Sequence, residues 1–389
     1  MFQIIKMGKI NILFLLIYMI VQLVFSQERV ITTGVPFLLI TPDARAAGMG
    51  DLGVASSADA YSQQWNPAKY VFLETKSGLG ISYTPYLSKL VDDIFLANIT
   101  FFKRSSDRSS WGSSLKYFSL GDIQFNELVG GTIVDQGLQR PNELTFDISY
   151  SLMLSKKFSM AVSGRFIYSD LKISTDMDAS SASSVGIDIT GFYRSNSFNF
   201  INNPSILRIG FNVSNIGPRL KYDEGGQMNF IPTNLKIGSG ITSSFDSDNS
   251  LTFNIEFNKL LVPSPIAFYD DKNKFINYRQ PDINFLKGII NSFNDAPDGL
   301  KEELKEITYA LGLEYSFQNS FLLRSGYFNE SLDKGSRRFF TLGTGFSLKF
   351  SQIDISYLFS TSKIRNPLEN TLRFSVSFDI GEKSLIEEQ

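Results

Sequence analysis

Thr371-Leu372-Arg373-Phe374-Ser375-Val376-Ser377-Phe378-Asp379-Ile380 decides the fold. Leu372, Phe374, Val376, Phe378 and Ile380 share one parity, and Arg373, Ser375, Ser377 and Asp379 the other. Successive side chains of a strand point to opposite faces, so a period of two separates an apolar face from a polar one. Apolar toward lipid and polar toward a wet lumen is the pattern of a transmembrane strand in an outer-membrane barrel.

The same alternation recurs upstream. Leu144, Phe146, Ile148, Tyr150 and Leu152 alternate with Glu143, Thr145, Asp147, Ser149 and Ser151, and Val185, Ile187, Ile189 and Tyr193 alternate with Ser184, Asp188, Thr190 and Arg194. Strands are predicted at 77–86, 93–103, 110–119, 142–152, 158–169, 184–194, 205–214, 234–243, 250–259, 307–317, 320–329, 338–349, 352–360 and 370–380. Fourteen is even, as bacterial single-chain barrels require. The fold expected is therefore all-β: a transmembrane antiparallel β-barrel of 14 strands over residues 77–389, with a polar, charged lumen. In-strand glycines such as Gly164, Gly186, Gly210, Gly238, Gly312, Gly326, Gly343 and Gly345 read as points of curvature.

Connection lengths agree with that count. Long segments at 87–92, 120–141, 170–183, 215–233, 260–306, 330–337 and 361–369 alternate with short ones at 104–109, 153–157, 244–249, 318–319 and 351, and only 195–204 breaks the rule. Such barrels have long external loops and short periplasmic turns, so the chain is expected to be a multi-pass protein of the cell outer membrane with periplasmic termini.

At the other end, Lys6 and Lys9 precede an apolar run from Ile10 to Phe25 and the small-residue ending Val24-Phe25-Ser26. Residues 1–26 read as a Sec signal peptide cleaved after Ser26; Asn11 and Gln22 interrupt a run already too short to span a bilayer. No apolar run of helical spanning length follows, and mean hydropathy is −0.04, which excludes a helical membrane protein. The 35 Phe and 16 Tyr against 2 Trp suit the aromatic girdles of a barrel embedded in outer-membrane lipid.

Chemistry is bounded by what is missing. With no Cys and no His, disulfides, thiolate nucleophiles, imidazole bases and the common zinc sites are excluded. No carboxylate dyad at a fixed spacing suggests a surface hydrolase, so no catalytic residue, cofactor or metal is assigned and no enzyme is expected. A net charge of −2 with interspersed signs gives no basic stripe, and nucleic acid is not a partner.

Two segments fall outside the strand pattern. Residues 27–76 are rich in small residues, and a structureless run of that length must pack somewhere; the lumen is the obvious place, which makes it a plug-like segment. Within it Asp43 and Arg45 are candidates to pair with charged lumen walls, and Trp65 and Asn66, with Pro67, read as a turn that caps a short helix or seats the plug. Gly48-x-Gly50-x-x-Gly53 spells a dinucleotide fingerprint, but no strand precedes it and no βαβ unit surrounds it, so that reading is rejected.

The other segment is the long external loop 260–306. Leu300, Leu304 and Ile307 fall on one helical face, with Asp295 or Asp298 as N-cap. Asp295, Asp298, Glu302 and Glu303 raise calcium as an alternative to capping and a solvated face; capping is the commoner outcome. A long, partly apolar loop on a rigid scaffold is more readily a docking surface, with Leu261, Pro263, Phe268, Phe293, Pro297 and Leu300 as candidate contacts for a partner or cargo.

Several stretches carry a family resemblance. Pro42-Asp43-Ala44-Arg45-Ala46-Ala47-Gly48-Met49-Gly50, Trp65-Asn66-Pro67-Ala68-Lys69, Asn215-Ile216-Gly217-Pro218, Ile231-Pro232-Thr233-Asn234-Leu235, Asn258-Lys259-Leu260-Leu261-Val262-Pro263 and Ser292-Phe293-x-Asp295-Ala296-Pro297-x-Gly299-x-x-Glu302-Glu303-Leu304-Lys305-Glu306-Ile307 strongly resemble PorV, also called LptO, over nearly the whole mature chain. That family is the outer-membrane barrel of the type IX secretion system of the Bacteroidota. The resemblance implies a FadL-like barrel that is not itself the protein-conducting pore. It implies association with the SprA (Sov) translocon and receipt of cargo proteins through their C-terminal signal domain. Delivery would follow to a cell-surface attachment complex that includes a sortase-like peptidase. Because a fold does not fix a function, the alternative is a FadL-like channel for hydrophobic small molecules, which would need a continuous apolar path through lumen and plug.

Overall fold

The computed structural model describes residues 30–171, 180–223, 226–270, 275–362 and 367–383. The signal peptide expected at 1–26 lies outside them. Fourteen strands form one closed antiparallel barrel: Thr75–Pro85, Ile94–Ser106, Ser109–Leu120, Asn142–Ser155, Phe158–Asp170, Ala182–Arg194, Asn203–Ile216, Asn234–Ser244, Ser250–Leu260, Ile307–Phe317, Phe321–Asn329, Arg338–Ser347, Ser351–Ser360 and Leu372–Lys383. Each lies within three residues of its predicted bounds at either end. Closure pairs the first strand with the last, Leu79 facing Phe378 and Ile81 facing Val376.

Parity works as the sequence reading required. Leu372, Phe374, Phe378 and Ile380 are exposed on the outer face, while Arg373 and Ser375 are buried inside; Phe146, Ile148, Tyr150 and Leu152 face out against buried Glu143, Thr145, Asp147, Ser149 and Ser151. The lumen, however, is not polar throughout. Leu96, Phe118 and Ile167 point inward near the long-loop end and build an apolar layer with Val35, Phe37, Leu38, Leu220 and Ile231. A period of two cannot reveal that layer, because near the mouth both parities are apolar.

Regular structure also sits in three of the connections between barrel strands, including the helix that the sequence signalled near Leu300. The long connection 120–141 holds a hairpin, Ile123–Val129 with Thr132–Gln139, turning at Gly130-Gly131, where both φ are positive. The loop 261–306 holds a smaller hairpin, Ile266–Tyr269 with Phe275–Arg279, and two short helices, Phe285–Asn291 and Leu300–Lys305. The over-long short-side connection 195–204 is an extension of the seventh strand: Phe198–Phe200 pairs with Asn203–Ser205 around a two-residue turn at Ile201-Asn202.

Candidate functional site

Residues 30–74 run down the inside of the barrel. The chain starts at the long-loop end, where the Gly34 N–H donates to Phe230 O (2.9 Å) and the Gln280 side chain donates to Thr32 O, and it reaches the short-turn end at Thr75, opposite Lys383. The described residues thus begin at the long-loop end and finish at the short-turn end, and the termini expected in the periplasm lie outside them. In between lie two α-helical turns, Ala44–Gly48 and Ser62–Trp65, and two 3₁₀ turns, Pro36–Leu39 and Pro67–Phe72, almost wholly buried.

Why these turns form is local chemistry. Asp43 caps the first α-helical turn by accepting from Ala46 N (2.8 Å), and its second oxygen accepts the Trp65 indole N–H (2.7 Å). Asp43 therefore ties the segment to itself and does not pair with the wall, contrary to the sequence expectation. Arg45 does reach the wall: Nε and Nη2 grip the two oxygens of Glu314 (3.0 and 2.9 Å) while Nη1 meets Asp59 (2.6 Å). Arg324 binds the same Glu314 (2.6 Å) and Asp354 (2.7 Å), so the charges form one buried network of paired forks. Removing one partner of such a pair costs far more than the pair contributes, because a charge is left stranded.

Asn66 caps the Pro67–Phe72 turn through Ala68 N and donates to Gly191 O of the sixth strand (2.9 Å), so it caps and seats at once. Trp65 stacks under Lys236 at 4.3 Å from the ring centre, and its carbonyl accepts from Asn212 (2.8 Å). Glu256 accepts the N–H groups of Gly53 and Val54 (2.8 Å each), Ser375 Oγ accepts the Ala44 N–H (2.6 Å), and Arg373 pairs with Asp51 (2.8 Å). Sequence reasoning missed Glu256, Glu314, Arg324 and Arg373, whose only signal was a charge on the inward parity of a strand.

Some of the in-strand glycines, unlike Gly164, serve close packing of the luminal segment. A Cβ at Gly326 would overlap the backbone of Met49 and Gly50, and one at Gly210 would overlap Val54 O. These strands carry glycine where the segment's backbone lies directly on the wall. The same holds for the rejected dinucleotide spelling: Gly50 sits at φ 80° against Tyr327, and Gly53 lies beneath the Trp65 ring.

The loop 261–306 is folded onto its own charges. Lys259 binds Glu303 (2.8 Å) and Glu306 (2.7 Å), and Lys334 binds Glu302 (2.7 Å) and Glu306 (3.0 Å). Glu303 also accepts Asp295 N and Ala296 N, and Glu302 accepts Asp298 N. Of the carboxylates considered for calcium, Glu302 and Glu303 thus hold lysines and backbone N–H groups and Asp295 accepts the Ser264 N–H, and among the described residues no group of three or more acidic residues is placed to hold a metal. The N-cap is Gly299, not Asp295 or Asp298. Burial opposes ionisation of Glu303, but Lys259 and the two N–H groups outweigh it and hold the carboxyl below its ordinary value; burial pushes Asp295 up.

Of the docking candidates, two are corrected. Leu261 is 4% exposed, its N–H bound to Thr233 O, and Pro263 is buried against Gly288, so both anchor the loop and cannot meet a partner. Phe268 lies under the Arg279 guanidinium at 3.7 Å and is exposed on its other side. Phe293, Pro297 and Leu300 are exposed, joined by Leu304, which the sequence placed on the same helical face as Leu300, and by Leu286 and Ile290, which the sequence reading did not single out.

A family model described as type IX secretion system protein PorV matches residues 24–267. The chain belongs to the PorV family. It is therefore an outer-membrane β-barrel protein of type IX secretion. Among solved structures, the P. putida toluene transporter TodX is 15% identical, with 88% of this chain and 100% of that one aligned at a TM-score of 0.53. A TodX monoaromatic hydrocarbon channel deltaS2 mutant is 14% identical over 88% and 100%, at 0.51. At such identities the likeness is one of fold, and it supports the FadL-like barrel expected. No curated protein sequence matches the chain.

Proposed function

We propose that this protein is the outer-membrane shuttle of a type IX system. It docks with a SprA (Sov)-type translocon, receives cargo through the cargo's C-terminal signal domain, and passes it to the attachment complex with its sortase-like peptidase. The observation that carries this reading is a lumen filled from the long-loop end through its middle. Residues 30–74 act as a plug whose backbone rests on strand glycines and whose charges are matched to the wall, which leaves the long-loop face as the working surface. There Leu286, Ile290, Phe293, Leu300 and Leu304 are 52–73% exposed on a folded loop, and apolar anchors of this kind dominate interfaces.

The test is charge on that face. Leu300→Glu with Ile290→Glu touches no buried contact, so the barrel is expected to insert normally while secretion of type IX cargo falls severalfold or more, since an interface anchor contributes upward of about 1–2 kcal/mol. Normal secretion with both changes in place would refute docking through this loop. The second reading, a channel for hydrophobic small molecules, is favoured by the TodX-like fold alone. It requires an apolar path, and the middle of this lumen is a network of Arg, Asp, Glu and Lys.

A further inference from the structure

At the short-turn mouth the lumen is not filled. A cavity of about 480 Å³ lies between the luminal segment and the strand ends, bounded by Thr75, the turn residue Asn319 and Leu348. That volume is in the range of pockets that hold small ligands. Its wall carries Arg194 and Arg208, which stand directly opposite each other on the sixth and seventh strands. Like charges so placed destabilise a strand pair unless something offsets them.

Among the described residues no carboxylate forms an ion pair that would offset them. Arg208 is 5% exposed; its Nε donates to Ala55 O (3.3 Å) and its Nη2 to Thr242 Oγ1 (2.6 Å), both neutral acceptors. Neither arginine forms an ion pair with a carboxylate among the described residues. Of the cavity's carboxylates, Asp59 and Glu314 hold Arg45 and Asp354 holds Arg324, while Glu74 immediately precedes the first strand, six positions round the barrel from Arg208. Asp379 is on the last strand, seven positions round the barrel from Arg208, and thus on the far wall. A buried guanidinium facing an open cavity with its charge unmatched is costly for the protein alone.

We propose that this cavity binds a small organic oxyanion, a carboxylate or phosphate gripped by Arg194 and Arg208, entering from the compartment that the short-turn end faces. The planar guanidinium fork matches an oxyanion two bonds at a time. Phe72, Phe192 and Ile206 beside it would pack a short apolar body.

The intact protein in an uncharged detergent is titrated calorimetrically with inorganic phosphate, with hexanoate and with neutral hexanamide. Both anions, or the one of the right source, are expected to bind, with hexanamide at least tenfold weaker. Phosphate tighter than hexanoate would assign a phosphate headgroup, and the reverse a carboxylic acid with an apolar tail. Arg194→Gln, at the half-buried rim, should keep the heat-modifiable folded band and weaken anion binding about tenfold or more, the cost of losing charge-assisted bonds. Arg194→Lys should recover part of that loss. Absence of anion binding, binding untouched by Arg194→Gln in a folded barrel, or hexanamide as tight as hexanoate would each overturn the assignment.

Discussion

A single side chain in this barrel has one of two neighbours, lipid or the luminal segment. Alternation alone suggests that inward substitutions would meet water and be tolerated, and that is where the parity argument fails. Phe374, on the lipid side, is 42% exposed, and Phe374→Arg is expected to destabilise by about 2–4 kcal/mol near the midplane. Ser375 beside it is 1% exposed and accepts the Ala44 N–H, so Ser375→Arg should also fail, for want of space and not of solvation. Retention of the folded, heat-modifiable band separates the causes: combined with removal of Ile31–Lys69, Ser375→Arg should regain it and Phe374→Arg should not. Rescue of both would mean that the outer face is not lipid-facing.

At the level of elements, strands were legible because each carries its own period-two signal, and their bounds moved by three residues at most. The luminal segment was legible only as a place, since its contacts with Glu256, Glu314 and Gly326 lie hundreds of residues away in sequence. Its seat can be tested at the glycines. Gly326→Ala would press a methyl into Met49 and Gly50 and is expected to cost about 1–3 kcal/mol, whereas Gly164→Ala meets nothing within 4 Å and should be neutral or slightly stabilising. Equal denaturant midpoints for the two would remove the packing role of Gly326.

The long loop has its own test, in pH. Glu303 is held below its ordinary value of 4.5, so it stabilises the loop fully above about pH 4.5 and loses that contribution as pH falls toward its lowered value; Asp295, raised by burial, acts in the opposite sense. A spin label on Lys287→Cys, in a chain without native Cys, should become more mobile between pH 7 and pH 3.5, and Glu303→Gln should show that mobility already at pH 7. An unchanged line shape would mean that the Lys259–Glu303 pair does not order the loop.

For the whole molecule, composition and periodicity established compartment and class, and the specific motifs in 42–50 and 292–307 carried the family, but sealing of the lumen was beyond both. Sealing depends on Val35 and Phe37 meeting Leu96 and Phe118 at one end and on the Arg45–Glu314–Arg324 chain lower down. On the shuttle reading proposed above, the lumen is not a through-path and cargo is handled at the external face. Planar-bilayer conductance tests that most directly. The intact protein is expected to give no steady ionic steps at any salt concentration, and the protein lacking Ile31–Lys69 is expected to conduct; steady conductance by the intact protein would contradict the account.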